Sequence, residues 1–162
     1  MGAAVSETGR IARLLEQTFE GSAYYGPSVL GALAGVDAAT AARRPASGAH
    51  SIWEIVSHLT AELDYARSVV GGSPEAWIAG ETTWPAVTDT SAAAWRTALA
   101  ELRRANRALA RRIERLDDDV LERQPAVVSG PFYTTLHGTI QHGVYHAGQI
   151  ALLKRESGPA SR

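Results

Sequence analysis

Residues 91–116 read SAAAWRTALAELRRANRALARRIERL. Within them Trp95, Leu99, Leu102, Asn106, Leu109, Ile113 and Leu116 advance in alternating steps of four and three. That spacing keeps one stripe of a helix turned toward a partner, as in the seam of a helix bundle. Thr90 or Ser91 is placed to cap its start. Asn106 is the polar member of the stripe; it either fixes the register of the seam or points into a polar cavity. Arg103, Arg104, Arg107, Arg111, Arg112 and Arg115 fall mostly off the stripe and make a solvated face.

Three other stretches carry helical periodicity. Ser6–Ser22 sets Ile11, Leu14, Leu15, Thr18 and Phe19 on one side, and Gly21 with Gly26-Pro27 ends it. Ser51-Ile52-Trp53-Glu54 opens the next as a capping box. Its buried face is Ile52, Ile55, Val56, Leu59, Leu63, Ala66 and Val70, and Gly71-Gly72-Ser73-Pro74 stops it. The last helix starts near Phe132 and ends near Glu156-Ser157, with Gly158-Pro159 as the stop.

Shorter pieces lie between. Val29, Leu30, Leu33 and Val36 form the buried side of a short helix, and Asp37 caps a turn through Ala42. Asp117-Asp118-Asp119 caps a turn through Glu122; the run lacks the spacing of a calcium loop. Pro74–Asp89 is irregular. Its Trp77 and Trp84 either pack over a pocket mouth or a partner surface, or belong to an ordinary buried connection. No stretch reads convincingly as a strand, and there is no internal repeat. The fold class is all-α: a four-helix bundle with additional short helices. The link between the first two long helices and the Pro74–Asp89 link are longer than a tight antiparallel turn needs, so crossovers are open to both.

The chain has 162 residues, a length that predicts a single domain spanning 1–162. It has no cysteine, which excludes disulfides, thiolate zinc sites and cysteine nucleophiles. Its net charge is −1, with no basic run, so nucleic acid is not an expected partner. No apolar run is long enough for a membrane span, and the first residues lack the basic start and apolar core of a signal peptide. Cytoplasm is the default expectation.

The chemistry concentrates in Leu136–Ile150, where His142 and His146 stand four apart. On a helix they project from one face, about one turn of rise apart, close enough to share a metal ion. His137 lies about 140° off that face. Two histidines at this spacing also occur in cores or on solvated faces. What favours a metal is the apolar company of Leu136, Ile140, Val144 and Ile150, where unpartnered imidazoles cost free energy.

A third ligand must come from another element, and His58, in mid-helix, is the candidate. His50 belongs at the start of that helix, well over a turn away. His58, His142 and His146 with one open position suit a catalytic zinc or nickel site, able to activate water or a substrate thiol. Glu54 and Glu62 flank His58 at four-residue spacing. Capping is the expected duty of Glu54 and a surface place that of Glu62; orienting an imidazole or adding a ligand is the alternative for each. Tyr145 and Gln149 are placed to support a ligand from behind. Gly138, Gly143 and Gly148 each cost a helix about 1 kcal/mol relative to alanine. They suit close approach of another helix or a ligand; compositional drift is the alternative.

Trp53-Glu54-Ile55-Val56-Ser57-His58-Leu59, together with Gln141-His142-Gly143-Val144-Tyr145-His146-Ala147-Gly148-Gln149-Ile150, resembles the DinB/YfiT-like family of metalloenzymes. The likeness covers nearly the whole chain, including Gly26-Pro27-Ser28 and His50-Ser51-Ile52-Trp53. It implies a four-helix bundle with zinc or nickel on three histidines, which match His58, His142 and His146, and frequent homodimers. Gly143 falls where many relatives carry a polar residue. The family is similar to S-transferases that join low-molecular-weight thiols of the bacillithiol or mycothiol type to electrophiles, and some relatives resemble hydrolases. The resemblance therefore implies a metal-dependent thiol S-transferase with a small-molecule substrate. The alternatives are a metal-dependent hydrolase and a non-enzymatic metal-binding or structural dimer module.

Overall fold

The computed structural model describes residues 6–72 and 83–157. Trp77, the Ser73-Pro74 part of the second helix stop, the Gly158-Pro159 stop and the first five residues lie outside them. Among the described residues there are six α-helices: α1 (Glu7–Glu20), α2 (Val29–Ala32), α3 (Ala38–Ala42), α4 (Ile52–Gly71), α5 (Ala92–Glu114) and α6 (Phe132–Ser157). A 3-10 helix covers Asp118–Glu122. Among the described residues no helix is long and apolar enough to cross a membrane.

The four long helices close a ring: α1 packs on α5, α5 on α4, α4 on α6, and α6 on α1. The all-α bundle expected from periodicity is therefore the observed fold. One small departure is a two-residue antiparallel ladder, β1 (Ser22–Ala23) with β2 (Gly26–Pro27), where no strand was expected.

The ring also settles which links cross. Residues 21–51 join α1 to α4, which do not adjoin, so this link, bearing α2 and α3, crosses the bundle. The link after α4 joins neighbours instead. The second crossing is residues 115–131, between α5 and α6, which periodicity did not single out.

Core and caps follow the sequence pattern closely. Trp95, Leu102, Leu109 and Ile113 of the α5 seam are buried. They meet Ile11, Leu15 and Phe19 of α1 and Leu59 and Leu63 of α4 in one continuous core. Trp95 Nε1 donates to the Val36 carbonyl at 2.8 Å, pinning the chain that leaves α2. Leu14, expected on the inner stripe of α1, is exposed; Thr8 is buried in its stead. Ser51 and Glu54 form the expected capping box, and Asp37 accepts from the Thr40 N–H at 2.8 Å. Gly72, at φ 76°, closes α4 in the left-handed conformation that glycine adopts without strain.

The aspartate run behaves differently from the expected cap. Asp117 makes no side-chain cap bond. Asp118 reaches α1 instead, accepting from the Glu7 and Thr8 backbone N–H groups at 3.0 and 2.9 Å. An N-terminal turn has unpaired N–H donors and a positive dipole end, so a carboxylate from a distant segment serves it as well as a local one. The Thr8 and Glu7 N–H groups hold the Asp118 carboxyl below its usual range.

Candidate metal centre

The site forms where α4 and α6 face each other. His58 lies on the inner side of α4, one turn beyond the capping box, and is 4% exposed. His146 of α6 is 3% exposed, and His142, one turn earlier, is half-buried. His142 Nε2 lies 3.2 Å from His58 Nε2 and 2.9 Å from His146 Nε2. A donor nitrogen from each ring lies within 4.8 Å of the other two, a grouping that could hold a metal ion. Gly143 lets this happen. A Cβ there would stand 3.0 Å from Phe19 and Thr18 side-chain carbons, so glycine allows α6 to sit against α1. Gly138 and Gly148 have open space instead.

The outward nitrogens decide what the inward ones can do. His58 Nδ1 contacts the Thr83 carbonyl, which can only accept, so Nδ1 carries the proton. His146 Nδ1 is 2.6 Å from Gln149 Oε1, while Gln149 Nε2 donates to the Tyr145 hydroxyl at 2.9 Å. Nδ1 of His146 is then also the protonated nitrogen. Both rings therefore turn an Nε2 lone pair toward His142. A proton on His142 Nε2 serves at most one of them well; a cation among the three serves all. This donor set fits a divalent ion that prefers imidazole. Partners that fix the tautomer from behind are the usual support of such ligands.

Electrostatics agree. Burial lowers the His142 pKa, with a smaller contribution from His58. Burial, then His142, lowers that of His146 to about 4, against a weaker upward pull from Gln149. Both rings are thus neutral near pH 7, the form that binds metal.

Trp84 completes the wall. Its ring stacks on His58 (centroids 4.0 Å, planes 8° apart) and on His50 (3.6 Å, 7°). Of the readings open for Trp84, the structure shows a residue that lines the cavity. His50 is not one of the three grouped histidines, as its place at the helix start implies, yet it lines the same cavity and stacks on Trp84. Sequence spacing gave no sign of that, because the contact depends on a distant tryptophan, nor of the Thr83 carbonyl. His137 stands off the site against Tyr133, at a centroid distance of 4.4 Å.

The cavity in front of the histidines has a volume of about 550 Å³ and is walled by Ile55, Trp84, Leu152 and Leu153. The two flanking carboxylates part ways. Glu54 is held by the Ser51 N–H at 2.8 Å and by Arg44. Burial opposes its charge, but those partners outweigh burial and keep its pKa below the usual range. Glu62 is half-buried rather than a surface residue. Burial raises its pKa, opposed by a smaller pull from His58. It lines a separate cavity of about 300 Å³, shared with His142, Thr135 and Thr139.

Comparison with curated proteins and with solved structures gave no match. The family model described as the DinB superfamily matches residues 27–150, a span that holds all three histidines and most of the bundle. The chain belongs to the DinB superfamily.

Proposed function

We propose that His58, His142 and His146 hold one divalent cation, zinc or nickel, and that the protein is a metal-dependent S-transferase joining a low-molecular-weight thiol to an electrophile. The observation that carries the metal is the pair of Nε2 lone pairs facing His142, with Nδ1 of His58 and of His146 already committed to oxygen acceptors. When bound, the cation supplies a fixed positive charge that lowers the pKa of a thiol or a water brought beside it.

The chain's own groups supply the rest. The Thr83 carbonyl and Gln149 aim two imidazoles, and Trp84 covers the face of His58. The apolar walls hold the electrophile near the sulfur and thin out water. The thiol proton passes to solvent, and sulfur attacks the electrophilic carbon. As the C–S bond forms, the bond from that carbon to its leaving group breaks, a halide in the case of an aryl halide, which departs to solvent. A thiol suits this cavity better than water does. Its ordinary pKa of about 8.5 lies much nearer neutrality than that of water, and hydrolysis also calls for a carboxylate to move protons beside the nucleophile. Glu54 is tied into the helix cap. Glu156 lines the cavity, but it is ten residues beyond His146 on α6, about 15 Å along the axis.

Glu62 favours a second reading, a hydrolase in which it serves as the base, because it is half-buried and lines a cavity that His142 also lines. The two readings separate on one variant. Zinc- or nickel-loaded protein is expected to accelerate loss of an aryl halide in the presence of small thiols. His142→Ala abolishes this and Glu62→Gln retains it. Loss of activity in Glu62→Gln, or ester hydrolysis without any thiol, would move the assignment to the hydrolase. Metal-loaded protein that accelerates no thiol addition would overturn the transferase.

A further inference from the structure

The cavity wall carries a charge pattern that restricts what can occupy it. The chain has 16 lysines and arginines, yet among the described residues none lines this cavity. Cations close to the lining residues in sequence are engaged elsewhere. Arg44 pairs with Glu54. Arg43 donates to the Ser157 carbonyl at 3.4 Å. Lys154 turns to the carbonyls of Ala32 and Ala34, at 3.4 and 2.5 Å. Arg155 adjoins Glu156 in sequence but is not part of the wall.

What the wall does offer is neutral or negative. Ser47 supplies a hydroxyl. Tyr145 accepts from Gln149 through its oxygen, which leaves its own O–H free to donate outward. Glu156, exposed, is the acidic side chain of the wall.

We infer that the site selects ligands whose end remote from the histidines is uncharged and hydroxyl- or amide-bearing, or cationic, and discriminates against ligands with a carboxylate at that end. The inference rests on the metal-dependent thiol reading for which end of the ligand enters first. A cation held by the histidines compensates the sulfur, not a charge further out. A remote carboxylate would lose hydration against Ile55, Leu152 and Leu153 and meet Glu156, while Arg43 and Arg44, which share a neighbouring cavity with Glu156, are engaged by the Ser157 carbonyl and by Glu54.

The test uses three thiols of one chain length, mercaptohexanol, aminohexanethiol and mercaptohexanoate, at pH 8, where imidazoles are ordinarily neutral. Binding to nickel-loaded protein is read from sulfur-to-nickel charge-transfer absorption. The alcohol and the amine are expected to bind about tenfold tighter than the carboxylate. Glu156→Gln narrows the gap and Glu156→Lys reverses it. A carboxylate that binds wild type as tightly as the alcohol does, or a gap that Glu156→Lys leaves unchanged, overturns the inference. If no thiol binds, the thiol reading fails by itself. Charge selection is then read on metal-free protein by tryptophan fluorescence with naphthylmethanol, naphthylmethylamine and naphthoate. The same order upholds it, and equal binding of naphthoate overturns it.

Discussion

Two sets of buried polar side chains in the bundle are treated in opposite ways. Between α4 and α6, buried His58 and His146 each spend one nitrogen on an oxygen acceptor and turn the other toward His142. On the α5 seam Asn106 is fully buried, and neither atom of its amide has a partner. Buried polar groups without partners cost stability, while buried polar groups held from behind become fixed donors. The first groups three ring nitrogens where a metal ion could be held; the second is a structural liability.

That contrast can be sharpened by experiment. The largest effect should come from acid on the metal-free protein. The folded-state pKa of His146 is about 4, below the ordinary 6.5, so between those values the unfolded chain binds more protons. Stability is fully present above pH 6.5 and declines as the pH falls toward 4, by on the order of 3 kcal/mol. Urea titrations of the apo protein across this range check it, and His146→Ala should flatten the slope. Next, Gln149→Ala removes the acceptor that fixes the His146 tautomer. Zinc affinity should fall about 10- to 100-fold by competition with a chromophoric chelator. The fold, read by circular dichroism, should persist.

On the α5 side the sign reverses. Asn106→Leu replaces an unpartnered amide with an apolar group of similar size and should raise stability by about 1–2 kcal/mol. A loss of that size would mean that the amide is satisfied in solution, for instance by a buried water. The smallest effects separate the α6 glycines. Gly143→Ala must push Phe19 or Thr18 aside and should destabilise by about 1 kcal/mol or somewhat more. Gly148→Ala meets open space and should stabilise by up to about 1 kcal/mol. Thermal melts of the pair decide both.

How much of this was legible in the sequence depended on how local each feature was. The α5 seam, the capping box at Ser51 and the pairing of His142 with His146 are short-range patterns fixed by helical geometry, and each is found in place. His58 was reachable because it is a mid-helix histidine with apolar neighbours. Asp118 was read as a local cap because nothing in Asp117-Asp118-Asp119 reveals that α1 lies alongside. Glu62 was assigned to solvent because nothing local reveals that it lines a cavity with Thr135, Thr139 and His142 of α6. Of the three α6 glycines only Gly143 marks a close approach, a difference that spacing alone cannot express. The stacking of Trp84 between His50 and His58 required the crossing of chain segments to be known.

The most direct test of the central claim is metal content. Tag-free protein would be dialysed against zinc and, separately, nickel, then analysed by mass spectrometry beside His58→Ala, His142→Ala and His146→Ala. One equivalent in wild type, with loss of tight binding in each variant, is the predicted result. No metal in wild type after reconstitution, or an equivalent that survives all three substitutions, would contradict the account.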